Sequence, residues 1–163
     1  MLALYGRPDT WEWLLFFHIL IAVVLVAATL AVTIASFAAL RASSAEHTTF
    51  FRKVAFRINL LGVLPGFVAT IVIAGALADK EFPGDDAPGW LEAGWTITFL
   101  SGIVGGILLT LLQWWVLRRA RNAELRGWQA TVATYVAPVI LGALFVVLFL
   151  MAGKPGQDIP APV

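Results

Sequence analysis

The chain alternates between long apolar runs and shorter segments that hold most of its charged side chains. In the first run, residues 11–40, the only ionisable side chains are those of Glu12 and His18. A helix needs about twenty apolar residues to cross the hydrocarbon core of a bilayer. Three later runs have the same character. The pattern therefore predicts four transmembrane spans, at about residues 11–40, 58–78, 93–117 and 128–152.

The four spans occupy most of the 163 residues and leave little sequence for a separate soluble domain. We therefore expect residues 1–163 to form a single all-α transmembrane domain, a bundle of four helices. Residues 41–57 are expected to form the first loop and the start of the second span. Pro65 predicts a kink in that span, because proline lacks the N–H that a helix interior uses. Residues 153–163 are rich in proline and predict an irregular tail.

Charge is distributed unevenly between the two sides of the predicted bundle. The segments after the first and third spans hold eight of the eleven Lys and Arg residues. The segment between the second and third spans, residues 79–92, holds five acidic residues and one basic residue. Loops rich in Lys and Arg remain in the cytoplasm. Both chain termini and the acidic segment are therefore predicted to lie outside the cytoplasm.

Each predicted span carries a stripe of small or polar residues at helical spacing. Such faces favour helix association in lipid, where close packing and buried polar groups hold helices together. From the first span to the fourth, the stripes are His18, Ala22, Thr29 and Ser36; Asn59, Gly62, Gly66 and Thr70; Thr98, Gly102, Gly106 and Gln113; and Thr131, Tyr135, Pro138 and Gly142. We predict that these faces point inward, and that Gly62, Gly66, Gly102 and Gly106 serve helix packing.

Composition excludes several kinds of function. The chain has no cysteine, and therefore no disulfide, thiol nucleophile or Cys-ligated metal. Its formal net charge of +1 gives no general attraction to nucleic acid. We find no hydrolase motif, phosphate-binding loop or paired carboxylates within the spans. The sequence therefore predicts a protein that is not an enzyme.

His18 is the ionisable residue that lies well inside a predicted span, and such residues are functional candidates by default. It suits a ligand of haem iron or another metal, or a contact to a quinone. The alternative is a neutral imidazole that is hydrogen-bonded to Thr98, Tyr135 or a backbone carbonyl. The second histidine, His47, falls in the first loop on the far side, so a haem with two histidine ligands is not expected within one chain.

The basic segments and the tryptophans beside them are expected at the level of the lipid headgroups. Anionic lipids attract such clusters, and Trp is enriched at the membrane interface. A specific contact to a phosphate group or to another protein is the alternative. The residues predicted to contact lipid headgroups or a partner are Arg41, Arg52, Lys53, Arg57, Arg118, Arg119, Arg121, Trp114 and Trp115.

The segment Phe17-His18-Ile19-Leu20 and the apolar stretch after it resemble the opening of the DUF2269-type bacterial integral membrane proteins. The Gly-Val-Leu-Pro-Gly of residues 62–66 and the third span, which ends in Arg118-Arg119, are also similar to that family. The resemblance covers residues 11–152. It implies a four-span architecture and a role for His18, and no established activity.

Three functions remain open from the sequence. The first is a non-catalytic accessory subunit of a larger complex in the bacterial cytoplasmic membrane, bound to membrane lipids and to other subunits or to itself. The second is a redox protein in which His18 contacts haem or quinone. The third is a small-solute transporter with Pro65 and Pro138 as hinges.

Overall fold

The computed structural model describes residues 9–82, 88–120 and 128–153. Within these ranges the regular structure is helical throughout, and four helices are long and apolar enough to cross a membrane. We number them α1 to α4. α1 is Asp9–Arg41 and α4 is Trp128–Gly153. α2 consists of Ala45–Ile58, a π-helical turn at Asn59–Val63, and Leu64–Glu81; α3 consists of Gly89–Thr98, a π-helical segment at Phe99–Gly105, and Gly106–Ala120.

α2 begins much earlier than the sequence indicated. Residues 45–57, assigned to the first loop and the start of the second span, form three turns of helix, and the connection from α1 consists of residues 42–44. Ser44 caps this helix, because its side-chain oxygen accepts a hydrogen bond from the backbone N–H of His47 at 3.2 Å. The segment is amphipathic: Thr48, Arg52 and Ala55 are buried on one face. The charges that suggested a loop belong mostly to its exposed face.

Successive helices pack as antiparallel neighbours around a ring. α1 contacts α2 and α4, and α3 contacts the same two helices. Gly62 faces Ala28 while Gly66 faces Leu25, so α2 runs opposite to α1. In the same way, Gly94 faces Met151 while Gly105 faces Ile140 across α3 and α4. We call the end where α1 passes into α2 the basic end, and the end where α2 passes into α3 the acidic end.

All four glycines predicted to serve packing lie at helix contacts. A Cβ atom on Gly62 or Gly66 would meet Ala28 or Leu25 of α1 at 3.3 and 3.2 Å. On Gly106 it would lie 2.9 Å from Leu64 Cδ2. On Gly102 it would lie only 2.2 Å from Cδ1 of the buried Phe67 ring. The two G-x-x-x-G pairs therefore join helices within this chain.

The π-helical turns occur where polar side chains can bond to backbone carbonyls. In α2 the widened turn ends just before Pro65, which lacks an N–H. In and beside the α3 segment, the Ser101 hydroxyl donates to the Ile97 carbonyl at 2.6 Å and Thr98 donates to Gly94 at 2.7 Å. Side-chain hydroxyls satisfy carbonyls in this way inside membranes, where no water is available.

The inward face of α4 differs from the prediction. Thr131, Tyr135 and Gly142, expected inside, are exposed, and Pro138 is only partly buried. The face that packs into the bundle consists of Ala130, Ala133, Thr134, Ala137 and Ile140. Its alanines allow close approach to the neighbouring helices, which small residues favour in membranes. The expected inward stripe of α3 is buried at Thr98, Gly102, Gly106 and Gln113.

Candidate functional site

The buried polar side chains are concentrated in the half of the bundle nearer the basic end. Apart from Thr48 in the first turn of α2, we call these side chains the polar core; its members are Thr29, Thr33, Ser36, Arg52, Asn59, Gln113 and Thr134. Within the described residues, Thr98 is the buried polar side chain nearer the acidic end. Burying polar groups is unfavourable unless they are bonded, so this asymmetry marks the basic end as the candidate site.

Three threonines of the polar core are satisfied within their own helices. The hydroxyls of Thr29, Thr33 and Thr134 donate to the carbonyls four residues earlier, at 2.8, 2.9 and 2.8 Å. These groups therefore offer little to a ligand. Ser36 differs from them: its Oγ is buried and has no partner among the described groups.

Asn59 joins α2 to α3. Its side chain is 0% exposed, and Nδ2 donates to the Thr110 hydroxyl at 2.7 Å and, more weakly, to the Gly106 carbonyl at 3.5 Å. Its Oδ1 has no partner among the described groups. Asn59 opens the π-helical turn of α2. The amide nitrogen of Asn59 therefore links α2 to α3, and its Oδ1 remains in the interior without a described partner.

Arg52 is the most unusual member of the polar core. Its side chain is only 2% exposed, although the sequence indicated a contact to lipid headgroups or a partner. Nη2 donates to the Ala130 carbonyl of α4 at 3.1 Å, whereas Nε and Nη1 have no partner among the described residues. Contact of Arg52 with lipid headgroups or a partner stays a prediction, but the side chain lies inside the bundle and not on its exposed surface. The reason is the helical start of α2, which turns Arg52 inward while Lys53 and Arg57 stay exposed.

Gln113 approaches the same part of α4 from α3. It is 1% exposed, and both its Oε1 and its Nε2 lack partners among the described groups. Gln113 lies one turn before Val116, which packs against Ala130 and Ala133. Arg52 thus bonds to the start of α4 from α2, Gln113 lies one turn from a residue that packs there, and both retain unused hydrogen-bonding atoms.

The sequence contained a signal for this arrangement that we did not use. Thr48, Arg52, Ala55 and Asn59 follow one another at intervals of four, three and four residues. That spacing places them on one face of a helix. Because Asn59 was expected inside the bundle, continuing its face toward the N-terminus would have placed Arg52 inside as well.

The other predicted headgroup contacts surround the basic end. Arg41 is exposed and lines an open groove along α1 with Thr33, Ile34, Phe37 and Ala38. The guanidinium of Arg118 lies 4.0 Å from the centre of the Trp114 ring, a cation–π contact. Trp114 is exposed, Trp115 is half-buried, and Arg119 belongs to the last turn of α3. Arg121 lies outside the described residues. Contact between these groups and lipid stays a prediction.

His18 lies far from the polar core, toward the acidic end of α1. Its ring is half-buried, and Nδ1 has no partner among the described groups. Of the suggested partners, Thr98 donates to its own helix, and Tyr135 packs on Phe37 near the basic end. A hydrogen bond across the bundle is therefore not formed at Nδ1.

The two histidines lie too far apart to bind one metal ion or haem together. His47 is exposed, and its Nδ1 lies 2.9 Å from Ser44 Oγ. From His18 to the end of α1 at Arg41 the helix rises about 35 Å, so His47 lies at the opposite end of the bundle. The described residues include no group of three or more His, Asp or Glu side chains that could bind a metal ion.

Comparison with known proteins identifies no relative: no family model, no curated protein and no solved structure matches the chain. The resemblance to the DUF2269-type proteins therefore stays a prediction.

Proposed function

We propose that the chain is a non-catalytic accessory subunit of a larger complex in the bacterial cytoplasmic membrane. It would span that membrane four times, with both termini outside the cytoplasm. The subunit would act by docking against a transmembrane helix of another subunit, while the remaining apolar surface contacts lipid. The observation that carries this proposal is the outward face of α4.

This face combines groups that are poorly suited to lipid alone. It is defined by Thr131, Tyr135, Val139, Gly142 and Val146, which recur every three or four residues and are all exposed. Tyr135 is 54% exposed, and no described group accepts a hydrogen bond from its hydroxyl. An unsatisfied hydroxyl is unfavourable in hydrocarbon, whereas a neighbouring helix supplies carbonyls and polar side chains.

Gly142 supports helix docking on the same face. A Cβ atom built on this glycine would meet no other atom within 4 Å, so the position is open toward the outside. Every other predicted packing glycine is already covered by α1 or α2. A small residue flanked by larger exposed ones lets a partner backbone come close, as in other helix pairs in membranes.

The test is gentle detergent extraction from the native membrane, followed by sizing of the particle and mass spectrometry. We expect a particle larger than the monomer that contains a second membrane protein in fixed ratio. Gly142→Leu should release that partner, because the added side chain blocks close approach. The matched control is Ala27→Leu, which adds bulk at an exposed position of α1. A native monomer, or a complex unaffected by Gly142→Leu, would contradict the proposal.

One observation favours the alternative of a redox protein, namely the buried and unpartnered Nδ1 of His18. If His18 binds haem, the purified protein should absorb in the visible region, and His18→Ala should remove that absorbance. His47→Ala is the matched control and should leave the spectrum unchanged. A colourless protein that also retains no quinone after extraction would rule this function out.

A further inference from the structure

We propose that the basic end of the bundle binds a phosphate group through the guanidinium of Arg52 and the side-chain amide of Gln113. We call this place the oxyanion site. It lies inside the bundle, whereas the proposed docking face of α4 is outside. The inference therefore does not rest on the proposed function.

The first argument is charge. An arginine side chain remains protonated in proteins, and a buried charge is strongly unfavourable unless it is paired. Arg52 is almost completely buried, and its one hydrogen bond goes to a neutral carbonyl. The acidic side chains whose exposure is described, Glu12, Glu46, Asp79 and Glu92, all lie at the surface. A counter-anion from outside the described residues would balance this charge.

The second argument is the set of hydrogen-bond donors. Arg52 carries five N–H groups, and those on Nε and Nη1 are unused. The amide nitrogen of Gln113 is also unused. Arginine and amide donors suit an oxyanion, and no carboxylate of the described residues is bonded to either side chain. The unpartnered Oε1 of Gln113 can accept a hydrogen bond from a protonated phosphate oxygen or a headgroup hydroxyl.

The third argument is that the guanidinium is held in place. Nη2 donates to the Ala130 carbonyl of α4, which fixes Arg52 inside the bundle while Nε and Nη1 remain available. A donor group that is already ordered loses little conformational freedom when it binds an oxyanion.

The depth of the site selects phosphate among the oxyanions. Ala130 lies two residues beyond Trp128, which is 71% exposed at the start of α4. Exposed tryptophans mark the membrane interface, where lipid phosphates lie. The phosphate can come from a lipid headgroup that inserts between helices or from inorganic phosphate in solution. Both sources present the same group to Arg52 and Gln113.

The two sources can be separated by thermal unfolding of the purified full chain in a neutral detergent. One arm compares the unfolding temperature in inorganic phosphate with that in chloride at equal ionic strength. The other adds short-chain phosphatidic acid against the diacylglycerol that lacks its phosphate. Binding to the folded state raises the unfolding temperature with ligand concentration. A rise in the lipid arm alone identifies a headgroup, a rise with phosphate identifies the free ion, and no rise in either arm overturns the proposal.

Substitutions test whether stabilisation by phosphate depends on the proposed site. Arg52→Met should raise the ligand concentration needed for a given rise in unfolding temperature at least tenfold. Arg52→Lys should raise that concentration less, because the charge remains. Lys53→Met is the matched control: it removes the same charge from the adjacent, exposed position and should leave the response intact. Gln113→Leu should also weaken the response, and it provides the test if Arg52→Met does not fold. Equal stabilisation of Arg52→Met and the unchanged protein, or of Gln113→Leu and the unchanged protein, would overturn the proposal.

Discussion

Gly102→Ala should destabilise the bundle by about 1–3 kcal/mol, the usual effect of overfilling a packed core. The new Cβ would lie 2.2 Å from Phe67 Cδ1, far inside van der Waals contact. The ring cannot simply move away, because Phe67 is 1% exposed and belongs to the main apolar core. The measurement is the free energy of unfolding in mixed detergent micelles. We expect this to be among the largest effects of any single added methyl group in the chain.

Gly142→Ala is the matched control for this experiment. It adds the same methyl group to a helical glycine, but nothing lies within 4 Å of the new atom. It should not lower the free energy of unfolding, because alanine favours a helix interior over glycine by up to about 1 kcal/mol. Phe67→Leu should recover part of the loss caused by Gly102→Ala, since the smaller side chain makes room. Equal losses for the two glycines would show that contact with Phe67 does not cause the loss at Gly102.

A phosphatase that is active only outside the cytoplasm should be fully active when fused after Val163. The expectation follows from the eight Lys and Arg residues in the two segments at the basic end, which should hold that end in the cytoplasm. Fusion of the same enzyme in the segment 42–44, between α1 and α2, should give no activity. High activity there, together with an inactive C-terminal fusion, would reverse the proposed orientation.

The exposed charges should control this orientation. Replacing Arg41, Lys53, Arg57 and Arg118 by Gln removes basic residues that the structure leaves at the surface. Together with lysines added to the acidic segment, this change should lower the C-terminal phosphatase activity by inverting part of the population. The matched control changes only Arg52 to Gln, which leaves most of the positive charge in place. Unchanged activity in the multiple variant would argue that another signal sets the orientation.

The docking face and the oxyanion site occupy opposite sides of α4, so their tests are independent. Ala130 and Thr134 point into the bundle, whereas Thr131 and Tyr135 point outward. Gly142→Leu should therefore affect a partner helix without changing the response to phosphate. Arg52→Met should do the reverse. A failure of one proposal leaves the other standing.

The four-span architecture could be predicted from the sequence alone. Whether about twenty apolar residues can cross a bilayer depends on their own transfer free energies, which are a local property. The pattern located four apolar helices, and the described part of the chain contains four helices of suitable length and hydropathy. The stripe of α3 could also be predicted, because its small and polar residues lie on a single face that faces α2 and α4. In α4, by contrast, polar and small residues occur on two faces.

Only the tertiary structure decided which of those two faces points inward, and what happens to Arg52. In α4 the alanines between Ala130 and Ala137 form the contact, because neighbouring helices select the face that permits the closest packing. Sequence patterns treat an arginine near a helix end as a surface charge. Here Ser44 starts α2 early, and the ring of helices then encloses the face that carries Arg52 and Asn59. The guanidinium is buried because four helices pack together, and the sequence of α2 alone does not show that burial.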